Sequence, residues 1–177
     1  LRGWLSGADL ESARRLVLDG DWERDEHTND NFLFDRLRHD ALQEWLTERV
    51  MTLAPLVSSL LDEQRVSHFE GYVKRVKAGP NYRFPWHSDR SGGRMIGLSL
   101  CLETAEGGAF ELRKKWSKEL LARVANIQPG DVHLFDVQDP TLVHRVGPVL
   151  STGARVFLRG GILLLISPRD ASKIFHN

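Results

Sequence analysis

The segment His87-Ser88-Asp89 places an imidazole and a carboxylate two residues apart. On an extended backbone, residues i and i+2 point to the same face, so the two side chains can converge on one metal ion. Two imidazoles and one carboxylate on one face of an octahedron suit non-haem Fe(II), and they leave three positions for substrate and oxygen. The pair alone does not mark a site. With 7 histidines and 13 aspartates in 177 residues, about half of one such spacing arises by chance. His68-Phe69-Glu70 offers a rival pair, since glutamate can replace aspartate as a ligand.

The elements that must position these residues fall into two textures. The first third reads as helical. Ser6 can cap a helix carrying Leu10, Ala13, Leu16 and Val17, ended by Gly20. From about Asp40, Leu42, Trp45, Leu46, Val50 and Leu53 lie on one face at the helical period. Pro55 should kink or split that helix before Leu56, Leu60 and Leu61. From about His68, short apolar or alternating runs suggest strands at Phe69–Lys77, Tyr82–His87, Arg94–Leu102, Ala109–Arg113, Val132–Phe135, Leu142–Val149 and Arg155–Ser167. Turn signals separate them at Gly79-Pro80-Asn81, Ser91-Gly92-Gly93, Glu106-Gly107-Gly108, Pro129-Gly130-Asp131 and Ser151-Thr152-Gly153. Helices followed by seven or eight short strands predict an α+β fold with an antiparallel double sheet or jelly roll. The mouth of such a barrel can hold a ligand or metal.

A hydrophobic fraction of 41%, a charged fraction of 27% and zero net charge describe an ordinary globular chain with no bulk attraction to nucleic acid or anionic membrane. Cys101, the single cysteine, cannot form an internal disulfide or a thiolate zinc site. This composition suits a reducing cytoplasm. The longest apolar run, Ile162 to Ile166, has strand length, far short of the roughly 20 residues of a membrane helix. The expectation is a cytoplasmic protein without a nucleic-acid or membrane partner. Nothing in the sequence sets its oligomeric state.

The stretch Lys77 to Asp89 (KAGPNYRFPWHSD) resembles the strand, glycine turn and His-x-Asp of prolyl-hydroxylase-like 2-oxoglutarate/Fe(II) oxygenases. Arg94 to Leu102 resembles their following strand, and Glu106-Gly107-Gly108-Ala109-Phe110 their Gly-Gly turn. Ile127 to Phe135 resembles the strand before the distal histidine, His144 to Val149 the distal histidine segment, and Gly153 to Leu158 the cosubstrate strand. The six pieces occur in order over about residues 70 to 165. His68-Phe69-Glu70 lacks such a context and reads as structural.

The resemblance implies a double-stranded β-helix (jelly-roll, cupin-like) core at about residues 67–168. Helical support over about 1–66 would complete a single domain, 1–177. It implies that His87, Asp89 and His144 bind Fe(II), and that 2-oxoglutarate and O2 are cosubstrates. Ascorbate would be an auxiliary reductant. Arg155, eleven residues after His144, would grip the far carboxylate of 2-oxoglutarate. Physically, a guanidinium stays charged and can meet a carboxylate with two parallel hydrogen bonds. Arg159 shares the face of Arg155 and could be a second carboxylate contact or a substrate contact. The position where the family often carries a cosubstrate-binding tyrosine matches Lys77. Tyr72 and Tyr82 lie near it; either of them, or Lys77 or Arg94, could take over that contact.

Related halogenases lack the carboxylate, so Asp89 favours hydroxylation. The implied activity is hydroxylation of an unactivated C–H bond in an amino acid, peptide or natural-product substrate, with release of succinate and CO2. A prolyl-type protein hydroxylase is the alternative within that chemistry, and a non-catalytic metal-binding jelly roll the alternative outside it. His133 is expected not to be a ligand, and His27, His39 and His176 to be solvated. Phe84, Trp86 and Trp116 could line the pocket, though aromatic side chains are more often core. Arg113 to Lys118 reads as a solvated loop or, more sharply, a substrate-recognition loop near the barrel mouth.

Overall fold

A computed structural model of the chain describes residues 1–25, 34–61, 65–77, 84–89, 95–137, 139–150 and 154–164. The turns expected at 79–81, 91–93 and 151–153, the strand residues expected at 165–167, and His27 and His176 lie outside the described residues.

Helix α1 (Gly7–Leu18) buries Ala13 and Val17, four residues apart and so on one face. Ser6 stands at its N-cap but makes no side-chain capping bond. Two strands, β1 (Asp21–Arg24) and β2 (Asp35–Arg38), then interrupt the third expected to be helical. Each has only four residues and a mostly charged sequence, too short for a readable apolar period. In β2 only Asp35 and Leu37 face inward. Helix α2 (Asp40–Met51) buries Leu42, Leu46 and Val50 as the period requires. His39 is half-buried and caps this helix, its Nδ1 accepting the N–H of Leu42 at 3.2 Å. Pro55 does split the helix: α3 (Ala54–Leu60) restarts with this proline in its first turn, where a missing N–H is tolerated.

The remaining strands are β3 (Val66–Lys77), β4 (Phe84–His87), β5 (Met95–Glu103), β6 (Phe110–Lys114), β7 (Leu120–Val124), β8 (Val132–Asp136), β9 (Leu142–Val146) and β10 (Ala154–Leu164). All pairings are antiparallel. One sheet runs β1-β2-β3-β10-β5-β8 and the other β4-β9-β6-β7. Strand β7 was not expected. It is an exposed edge held by pairing with β6, so its sequence carries no burial pattern. Strand β9 ends at Val146, before Gly147 and Pro148; proline has no N–H for the ladder.

The six-stranded sheet is covered on both faces. Val73, Leu98, Leu100, Leu158 and Ile162 pack on the helices through Ala13, Leu46, Val50 and Val57. Val76, Cys101 and Phe157 turn the other way and meet Phe110 and Val146 of the smaller sheet. Burying each large side chain contributes about 1.5–3 kcal/mol. No described helix is long and apolar enough to cross a membrane.

Asp35 ties β2 to β3. Arg75 donates to its Oδ2 from two nitrogens, at 3.0 and 2.7 Å, and Lys77 Nζ lies 2.9 Å away. Burial opposes its ionisation, yet the hydrogen bonds and charges of Arg75 and Lys77 prevail and lower its pKa. Asp35→Ala should cost about 2 kcal/mol of unfolding free energy in urea at pH 7. The folded pKa lies below the free value near 3.8. The contribution is therefore complete above that value and disappears as pH falls through the folded one.

Candidate metal centre

Strand pairing brings the expected ligands together. β4 pairs with β9 so that His87 lies opposite His144, with ring centroids 4.3 Å apart. Asp89 follows β4, one Oδ 3.4 Å from His87 Nε2 and the other 3.4 Å from His144 Nε2. One ligand atom from each of the three lies within 4.8 Å of the other two. His144 is 2% exposed. Phe110 stacks beside its ring and Phe135 meets it edge-on.

The protonation states suit metal binding. Burial, the charge of Arg159 and the neighbouring His87 push the pKa of His144 down to about 3, so it is neutral at ordinary pH. His87 Nδ1 lies 2.6 Å from the Pro85 carbonyl oxygen. That oxygen only accepts, so Nδ1 carries the hydrogen and the free lone pair is on Nε2, facing the site. For Asp89, burial opposes ionisation. The neighbouring His87 and the charge of Arg159 outweigh it and hold the carboxyl well below the usual carboxylate range. Two imidazoles and one carboxylate form a donor set that fits a first-row divalent ion. A cation already sits among them: one terminal nitrogen of Arg159 lies 2.7 Å from His144 Nε2 and 3.2 Å from both His87 Nε2 and Asp89 Oδ2.

Arg155 and Arg159 share the inner face of β10 with Phe157 between them. Arg155 is 5% exposed and donates to the carbonyl oxygen of Gly108. Gly108 has a φ of +63°, and a Cβ there would lie 3.0 Å from the Arg155 guanidinium. The Gly-Gly turn thus admits the arginine. Arg155 Nε is buried with no hydrogen-bond partner among the described residues. A narrow cavity runs between the two arginines along Ser99, Phe110, Phe135 and Val146. Its free volume, about 10 Å3, is that of a single water. A larger pocket of about 280 Å3 opens between Arg36, Arg38, His39 and Tyr72. Size does not make it the reactive site: Arg38 there is paired with Glu23 at 2.5 Å, and His39 serves α2.

No protein-family model matches the sequence, and no curated protein matches it. Solved structures match its shape. A prolyl-4-hydroxylase from Pseudomonas putida is 16% identical over 90% of this chain and 89% of its own, with a TM-score of 0.64. A Trichoplax adhaerens prolyl hydroxylase, solved with a hypoxia-inducible-factor peptide, is 15% identical over 98% of this chain and 83% of its own, with a TM-score of 0.67. HygX from Streptomyces hygroscopicus, solved with nickel, 2-oxoglutarate and hygromycin B, is 16% identical over 92% of this chain and 81% of its own, with a TM-score of 0.59. This chain has the fold of the 2-oxoglutarate/Fe(II) oxygenases. The expected double-stranded β-helix is that fold's core.

Within this oxygenase fold, the other expected contacts separate. Lys77 does not reach the cavity. It lies on the opposite face of β3, paired with Asp35, because alternation turns Lys77 away where Val76 points inward. Tyr82 and Arg94 lie outside the described residues. His68 and Glu70 bond to each other at 3.0 Å, exposed. His133 is half-buried on β8, and burial together with the charge of Arg155 pushes its pKa down to about 4. Trp86 does not line the cavity; it is clamped between Arg113 and Arg145, 4.0 and 4.6 Å from its ring centre. Residues 113–118 are the end of β6 and the hairpin tip, with Trp116 77% exposed.

One interior residue was missed. Lys74 lies on the inner face of β3, 9% exposed, with its amine 3.9 Å from the centre of the Phe34 ring and 4.3 Å from that of Tyr72. Burial and the charge of Arg159 push its pKa down to about 7. Its period-2 place beside Val73 and Arg75 reads as a solvent face, because the sequence does not show that β3 is covered on both sides. Burial also pushes the Tyr72 phenol up to about 12, with Asp25 adding to the shift by charge and hydrogen bond. Lys74→Met should stabilise the fold by about 1–4 kcal/mol at pH 6. Lys74 has a lower pKa folded than unfolded. Wild-type stability therefore rises between about pH 7 and 10.5, as the unfolded chain holds the extra proton. Urea unfolding should show the advantage of Lys74→Met shrinking across that window.

Proposed function

We propose that the chain is an Fe(II)- and 2-oxoglutarate-dependent dioxygenase that hydroxylates an unactivated C–H bond of an amino acid, peptide or natural product. The observation that carries this reading is the convergence of His87, Asp89 and His144 on one cation-sized position at the barrel wall. Fe(II) held by these three side chains would supply oxygen activation coupled to conversion of 2-oxoglutarate into succinate and carbon dioxide.

The rest is the work of the chain's own residues. The Pro85 carbonyl holds His87 with its lone pair toward the ligand position. Phe110 and Phe135 fix the ring of His144 and keep water from that side. Arg155, buried at the far end of the cavity, offers its guanidinium to the far carboxylate of the cosubstrate. Phe157 and Val146 give the cavity apolar walls between the two ends. Leu112 pairs with His144 and Lys114 with Leu142, so the β6–β7 hairpin runs on past the ligands. Lys115 and Trp116 at its tip are suited to meet a substrate at the mouth. The whole chain acts as one domain in this reading, with α1 to α3 as its support.

Succinate formation tests it. His87→Ala, Asp89→Ala and His144→Ala should each lower turnover by about 100-fold or more, as loss of a metal ligand requires. Full activity in any of these purified variants would remove that residue from the site. Arg155→Ala should raise the 2-oxoglutarate KM by about tenfold or more, the worth of a charge-assisted hydrogen bond. An unchanged KM would give that carboxylate to another residue.

A further inference from the structure

Arg159 carries an inference that rests on the proposed metal site and deepens it. Its terminal nitrogen touches His87 Nε2, Asp89 Oδ2 and His144 Nε2 at 3.2, 3.2 and 2.7 Å. These are the atoms a metal would take. A guanidinium N–H donates into the same lone pairs that a metal uses, and one lone pair cannot serve both. Two cations this close also repel strongly where water is scarce.

The displaced guanidinium needs a destination. The inner face already holds the cations of Arg155 and Lys74, and the buried carboxylate of Asp25 is engaged by Tyr72 and Lys74, so a charge moved among them without a new anion is unfavourable. The cavity between Arg159 and Arg155 is about 10 Å3 as it stands, so a dicarboxylate enters only if the guanidinium at its end moves. Metal entry and carboxylate entry thus require the same displacement.

We propose that Arg159 is an exchangeable counter-cation: its guanidinium and a divalent metal compete for His87, Asp89 and His144, and an entering carboxylate takes up the displaced guanidinium. Metal and carboxylate then bind cooperatively, each strengthening the other by the same factor.

Mn(II) binding to the purified protein, followed by the electron paramagnetic resonance of the free ion, tests this with and without 2-oxoglutarate. Melting temperatures in chelator and in saturating Mn(II) give a second readout. Arg159→Met should bind Mn(II) about tenfold tighter or more without 2-oxoglutarate. It should melt below the wild type in chelator, because Asp89 loses its cation, and above it in Mn(II). In the wild type, 2-oxoglutarate should tighten Mn(II) binding about fivefold more than in Arg159→Met. Lys74→Met, which also removes an interior cation, should leave Mn(II) affinity without 2-oxoglutarate within about twofold.

Equal Mn(II) affinity in wild type and Arg159→Met would overturn the exchange, as would an equal gain in Lys74→Met. Arg159→Gln serves if the methionine variant does not fold, with the same direction expected. Absence of Mn(II) binding in every protein would instead overturn the metal reading itself.

Discussion

Strand β10 has to satisfy two interiors at once. It pairs with β3 and β5 along most of its length and is covered on both faces. One face gives Val156, Leu158 and Ile162 to the core under the helices. The other gives Arg155, Phe157 and Arg159 to the space between the sheets. A strand so placed can bury charge only where the opposite wall answers it. The wall opposite Arg159 is Asp89 with His87 and His144. The candidate site follows from that constraint: the guanidinium and the three ligand side chains make each other's burial tolerable.

The same electrostatics organise the ionisable groups around it. His144 is held neutral, Asp89 ionised, and Lys74 close to giving up its proton. Burial drives the shifts of His144 and Lys74 and opposes that of Asp89, where the neighbouring groups prevail. The result is an interior with an ionised carboxylate held among cations. The surrounding apolar walls make each of those charges count for more than it would in water.

Much of this was legible in the sequence. The helix at Asp40, its break at Pro55 and seven of the eight strands from β3 onward follow from periodicity and from Gly and Pro punctuation. The candidate ligand set did not follow from spacing; its selection needed the ordered context from Gly79 through Arg155. Lys77 shows the limit of matching positions along a strand: a residue matched by its place before the glycine turn falls on the wrong face when alternation is followed. Lys74 shows a second limit. A charged residue in an alternating strand reads as exposed unless both sheet faces are known to be covered. Strands β1, β2 and β7 escaped because backbone pairing at an edge leaves little trace in side-chain pattern.

The central claim is that His87, Asp89 and His144 hold one Fe(II) that also takes 2-oxoglutarate. Anaerobic titration of the purified protein with Fe(II) and 2-oxoglutarate, followed by visible absorption, tests it most directly. The account predicts a charge-transfer band that saturates at one Fe(II) per chain and is bleached by a chelator. No band at saturating Fe(II) and 2-oxoglutarate would contradict it.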